Sequence, residues 1–165
     1  MTLNEGVNLI EGRSAFCLAV RCELALLATV ETLPVTRELT WVDEDFSEWP
    51  LDGGQLQVHL EAFLRRPGRR LRMIAHRFGP IAQRHPRFAA WRKNWSHALD
   101  AWEFPEPGVL GSVLVSSATI VELHDKERAL GRVGRGPGLV RAALERVADW
   151  QARCQPGWPA TTLGL

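Results

Sequence analysis

Between residues 38 and 76 the chain switches hydrophobic period twice, and this most restricts what it can fold into. Residues 38–42 (ELTWV) read as a strand. Gly53-Gly54 breaks the chain, and Leu56, Leu60, Phe63 and Leu64 then recur at helical spacing over about 55–65. Pro67-Gly68 marks a turn. Residues 71–76 (LRMIAH) are again a short apolar strand, expected inside a sheet. Strand, helix and strand at this spacing predict a βαβ unit, a parallel pair joined by a right-handed crossover.

The flanking segments extend the pattern. Residues 1–13 read as an arm or a short edge element. Ser14 is the expected N-cap of a helix over about 15–29. Apolar residues run nearly all round that helix, which predicts burial on more than one side. Thr32-Leu33-Pro34 ends it, since proline pushes its predecessor out of the helical region. Gly79-Pro80 opens a further helical region, and Pro86 begins a fresh helix over about 86–98 with Phe88, Trp91, Trp95 and Leu99 as its apolar stripe. A third strand is expected at 101–104. The β-branched run 109–123 divides near Ser116-Ser117 into two antiparallel strands, and a last short strand covers 129–133. A helix over about 138–153 buries Leu139, Val140, Ala143, Leu144, Val147 and Trp150, and the tail QPGWPATTLGL is expected to be irregular. The reading is an arm (1–13), one α/β domain (14–155) with a mixed β-sheet flanked by helices, and a tail (156–165). At 165 residues one domain is the default, with roughly 70% of the unfolded chain's surface buried.

The net charge is only +1, but its distribution is uneven. Residues 62–99 hold ten of the twenty Lys and Arg and no Asp or Glu. The candidate ligand-binding residues are Arg65, Arg66, Arg69 and Arg70, around the Pro67-Gly68 turn, and Arg84, Arg87, Arg92 and Lys93 on the polar side of the next helix. Guanidinium groups neutralise phosphates, and indole faces stack on bases. The competing readings are a GC-rich genome for the arginines and core packing for Trp91 and Trp95. Asp43, Glu44, Asp45, Glu48 and Asp52 form an acidic loop: a solvated loop, a counterpart of the basic stretch, or a cation site. Gly134-Arg135-Gly136-Pro137-Gly138 precedes a helix and is either a flexible turn or an anion site.

Other chemistry is thinly represented. Cys17, Cys22 and Cys154 form no CxxC pair; Cys17 and Cys22 are expected as small core residues in a reducing, cytoplasmic protein. His76, His85 and His97 have no metal-ligand spacing, no nucleophile elbow is present, and no metal or cofactor is expected. The apolar run 15–30 is short for a membrane span and carries Arg21 and Glu23, so no span is expected.

The segments ELTWVDEDF, RRLRMIAHRFGPI, HPRFAAWRKNW, GSVLVSSATIVELHD and LERVADWQARCQPG, in this order, resemble the half-domain of phospholipase D-like proteins over roughly residues 14–155. The similarity is to a bacterial branch that lacks the catalytic motif. Active members carry His-x-Lys, and an Asp after four intervening residues, at a strand that enters the active site; the His attacks phosphorus and the Lys holds its oxygens. Here the corresponding strand, GSVLVSSATIVE, has neither His nor Lys. His124-Asp125-Lys126 has the spacing, but it follows the apolar run, and Gly131 stands at the Asp position. The resemblance implies a non-catalytic binding or scaffold module for an anionic ligand: phosphate, nucleic acid or an acidic protein. Because active members pair two half-domains, it also implies a homodimer. The alternatives are a divergent phosphodiesterase or phosphatase using His124 and Lys126, and a purely structural partner subunit.

Overall fold

The structure, a computed structural model, describes residues 6–29 and 36–160. The order is β1 (Val7–Glu11), α1 (Arg13–Thr29), β2 (Glu38–Asp43), α2 (Gly54–Leu64), β3 (Arg70–Ala75), α3 (Gly79–Arg84), α4 (Pro86–Trp91), a 3-10 turn (Arg92–Trp95), β4 (Leu99–Glu103), β5 (Ser112–Val115), β6 (Thr119–Asp125), β7 (Leu130–Arg135), α5 (Pro137–Gln151) and β8 (Gln155–Pro156). The eight strands among the described residues form one sheet in the order β1-β7-β6-β5-β2-β3-β4-β8. β2, β3 and β4 run parallel, with Glu38 opposite Arg70 and Leu71 opposite Leu99; every other pair is antiparallel. The chain is an α/β domain with a mixed sheet, as the alternating periods predict.

The period of two sorts the strands' side chains onto two faces. Leu39, Trp41, Leu71, Met73, Leu114 and Val121 meet Phe16, Val20 and Leu24 of α1 and Leu56, Leu60 and Phe63 of α2 in one core. Val42, Ile74, Val113, Val115 and Ile120 meet Val140, Ala143 and Val147 of α5 in the other. Both faces of the central strands are therefore dry, as a parallel segment requires. Gly131 is fixed by β-strand approach: a methyl group there would collide with the carbonyl oxygen of Glu122.

The structure corrects several expectations. α1 begins at Arg13, so Ser14 lies inside its first turn, after Gly12 at φ +90°. α1 buries one side only: Leu18 and Leu26 are exposed, as is Cys22, while Cys17 is half-buried against the core. Its expected stop at Thr32-Leu33-Pro34 lies outside the described residues. The helix expected over 86–98 is α-helical only to Trp91 and then tightens into the 3-10 turn. Residues 7–11 form an edge strand paired with β7. The tail departs from the irregular reading only at residues 155–156, which form β8 against β4; residues 157–160 are irregular but packed, with Trp158 stacked on Phe78 at 5.2 Å.

The acidic loop is a folded element rather than a solvated one. Asp43 is buried and accepts hydrogen bonds from the backbone N–H of Asp45 (3.1 Å) and Phe46 (2.7 Å), closing the turn. Phe46 and Trp49 are carried into the core, and Asp52 accepts from the Phe88 N–H at 2.8 Å at the start of α4. The counterpart reading holds in part: Arg77 pairs with Asp45 at 3.3 Å.

Candidate functional site

The end of the sheet where β3 and β4 begin gathers most of the basic stretch. The Arg70 N–H donates to the Arg37 carbonyl at 2.8 Å, which brings the segment before β2 beside the α2–β3 turn. Arg66 donates to the Ala28 carbonyl at 3.0 Å, and Arg69 donates to the Thr36 carbonyl and lies over the Phe63 ring. Burial first, and then the positive charges of Arg66 and Arg37, hold the Arg69 pKa below its ordinary value. Three guanidinium groups from two segments thus share one neighbourhood. Arg65 and Arg70 are exposed and pair with Glu61 and Asp100, the latter at 2.7 Å. Exposed pairs of this kind are worth about 0–1 kcal/mol, so an incoming phosphate displaces the carboxylate at small cost.

The 3-10 turn reaches the same end, because β4 starts at Leu99 beside Leu71 of β3. Its exposed Lys93 and Asn94 stand there with Trp95, followed by exposed His97. Between α2 and this turn runs a shallow groove of about 500 Å³ lined by Glu61, Leu64, Arg65, Trp91, Asn94, Trp95 and His97. Its aromatic wall continues inward: ring centroids lie 5.7 Å apart for His97–Trp95, 5.8 Å for Trp95–Trp91 and 5.5 Å for Trp91–Phe88.

The remaining candidates are elsewhere. Arg84 and Arg87 are exposed on α3 and α4 but stand at the opposite end of the sheet. There the His85 imidazole Nε2 is 3.1 Å from the Phe46 carbonyl, and Asp52 accepts from the Arg87 N–H at 3.3 Å. Arg92 is not on a polar face. It is 4% exposed, donates to the carbonyls of Trp158 (2.6 Å) and Pro159 (2.7 Å), and lies 3.6 Å from the Trp158 ring centroid. Four residues after buried Phe88, residue 92 shares its inward face, where burial pushes the Arg92 pKa down to about 10.

Ligands of open α/β sheets commonly gather at the carboxyl ends of the strands. At that end a pocket of about 210 Å³ is lined by Arg13, Phe16, Asp43, Glu48, Trp49 and Lys126, among others. Its charges pair with one another: Arg13 with Glu48 at 2.6 Å, and Asp43 with Ser112 and with Lys126, at 3.5 Å. A neighbouring cleft of about 380 Å³ on the α5 side holds Glu122, His124, Lys126, Arg146 and Trp150. His124 stands two residues after Glu122 near the end of β6, where the register shifts between Leu123 and Asp125, and Lys126 directly follows the strand. Buried Glu122 pairs with Arg132 and with Arg146 (2.6 Å), and His124 Nδ1 stands 3.6 Å from it. Burial raises the Glu122 pKa, but Arg146 and Arg132 outweigh it and hold the group below its ordinary range. Gly131 offers no carboxylate; it pairs with Leu123 across the sheet. Among the described residues, no three His, Cys, Asp or Glu side chains are grouped to hold a metal ion, and no helix is long and apolar enough to cross a membrane.

The sequence reading missed Arg37 and His97. Arg37 joins the cluster only once Glu38 is aligned with Arg70, and a βαβ unit by itself leaves that register open. His97 lies beyond the apolar stripe of its helix, and no local signal marks it as the outer member of a ring stack.

No protein-family model matches the chain, and no curated protein matches it in sequence. Its fold is that of phospholipase D family members. The match to Nuc of Salmonella typhimurium, a phospholipase D family member, covers 94% of this chain and all of the other, at 10% identity and a TM-score of 0.59. NucT from Helicobacter pylori matches over 93% of this chain and all of its own, at 6% identity and a TM-score of 0.57. TrmBL2, an archaeal chromatin protein whose structure shows a novel mode of DNA binding, matches over 95% of this chain at 10% identity and a TM-score of 0.63. The chain spans about half of that protein's length, 55%.

Proposed function

We propose that the domain is a polyanion-binding module on a phospholipase D frame, without phosphodiester chemistry, and that nucleic acid is its principal ligand. The carrying observation is the convergence of residues 36–37 on the α2–β3 turn, where the Arg69 side chain donates to the Thr36 carbonyl and the Arg70 N–H to the Arg37 carbonyl, with exposed Arg65, Arg70 and Lys93 around them. Of the eight basic candidates, Arg84 and Arg87 stand apart from this surface, and Arg92 supports the tail behind it. A DNA-binding protein among the structural neighbours supports nucleic acid over an acidic protein. The free thiols of Cys17, Cys22 and Cys154 support a reducing, cytoplasmic setting. The half-domain resemblance supports a homodimer, which sedimentation velocity tests.

Four neutralised phosphates give a salt slope that weakens duplex binding about 100-fold between 50 mM and 200 mM salt. The test is heparin retention and oligonucleotide affinity across that range. The triple variant Arg65→Glu/Arg70→Glu/Lys93→Glu should lose most of the affinity, and Arg84→Glu/Arg87→Glu should keep it. Salt-insensitive binding, or no binding, would instead support a structural partner subunit.

One observation favours a second reading, a divergent phosphodiesterase or phosphatase: His124, Lys126 and Arg146 line a single cleft. Turnover of a generic phosphodiester that disappears in His124→Ala would establish it against the binding-module reading.

A further inference from the structure

We infer that the groove between α2 and the 3-10 turn receives an unpaired nucleobase against Trp95 and His97, so that the ligand is a single-stranded nucleic acid. This rests on the polyanion reading above and narrows it.

The rings His97, Trp95, Trp91 and Phe88 form a continuous series with interplanar angles of 28°, 32° and 32°. Phe88 is fully buried and lies 6.3 Å from Trp41 in the core, at 27°. The outer rings are therefore held by the inner ones, and their orientation is set before any ligand arrives. Such a surface gains from a flat π-system and loses little side-chain entropy in binding it. A duplex keeps its bases stacked and offers this groove none; an unpaired strand does.

The groove's volume of about 500 Å³ falls within the roughly 300–1,000 Å³ of small-ligand sites. Its polar lining suits a base edge better than a phosphate. Asn94 offers both donor and acceptor, and the Glu61 carboxylate accepts from a base-edge N–H, the ring imide of thymine included, while repelling phosphate. Trp91, also in the lining, has a buried indole N–H without an acceptor. Arg65 stands at the groove and Arg70 beyond it, so the backbone runs along the basic turn while a base turns inward.

The experiment measures anisotropy of a labelled 15-nucleotide oligothymidine and of a 15-base-pair duplex on the full chain, at fixed salt, beside heparin retention. The single strand should bind at least tenfold more tightly than the duplex. Trp95→Ala should weaken it about tenfold and leave heparin retention unchanged. His97→Ala, at an exposed position, should act in the same direction and covers the case in which Trp95→Ala fails to fold. Equal affinity for both oligonucleotides, or wild-type single-strand affinity in a folded variant of either ring, overturns the inference with the polyanion reading intact. Loss of heparin retention in the wild type overturns both.

Discussion

Replacing Arg92 by methionine separates a supporting role from a ligand-binding one. The guanidinium makes two hydrogen bonds to backbone carbonyls, at 2.6 and 2.7 Å, and stacks on Trp158. A hydrogen bond involving a charged group contributes about 1.5–3 kcal/mol, and a desolvated cation–π contact up to about 2 kcal/mol. These do not add fully. Pro159 is exposed, so released carbonyls recover water, and methionine retains apolar bulk beside the rings. The expected net loss is about 3 kcal/mol. With a denaturant slope of about 2 kcal/mol/M, the urea midpoint should fall by about 1.5 M. Limited proteolysis should cut the tail near Trp158 earlier than in the wild type, while heparin retention at low denaturant stays within twofold. An unchanged midpoint with weakened heparin retention would refute the assignment and return Arg92 to the ligand surface.

Three further outcomes follow from individual contacts. Burial raises the Glu23 pKa above its ordinary 4.5, and hydrogen bonds from Thr119 and Ser116 and the charge of Arg135 offset this only in part. Between pH 4.5 and the raised value the folded state holds a proton that the unfolded chain has released, so this group's contribution falls as pH rises. Glu23→Gln should therefore gain on the wild type in urea midpoint from pH 4.5 upward and then level off; a difference constant with pH would contradict this. Asp52→Ala removes the acceptor for the Phe88 N–H and should cost about 1 kcal/mol in urea unfolding, with Asp52→Asn recovering most of it. Gly131→Ala forces a methyl group against the Glu122 carbonyl, and thermal unfolding should show a loss of about 1–3 kcal/mol; a wild-type melting temperature would mean that β6 and β7 separate freely there.

The frame was legible where local periodicity matched tertiary burial. Residues 39–43 alternate between two dry faces, and Leu56, Leu60, Phe63 and Leu64 of α2 all point inward, so the βαβ unit followed from spacing alone. The departures share one cause, a distant partner. Arg92 looked solvent-facing because it is charged, although it stands four residues after Phe88 and shares its face; its acceptors lie in a tail some 66 residues away, which no local pattern marks. Trp158 ends a stretch of glycine and proline with no periodicity, and its docking depends on that same arginine. Asp52 read as solvated charge because its acceptor role is toward α4, 36 residues on. The basic stretch was legible as composition, but its division between two ends of the sheet was not, since α3 and α4 carry part of it across the fold.

Hydrogen-exchange footprinting of the heparin-bound protein most directly tests where this surface lies. Slowed exchange confined to residues 36–38, 65–70 and 92–98 is the expected pattern. Protection concentrated at 43–48 and 122–126, the clefts at the carboxyl ends of the strands, would contradict the account.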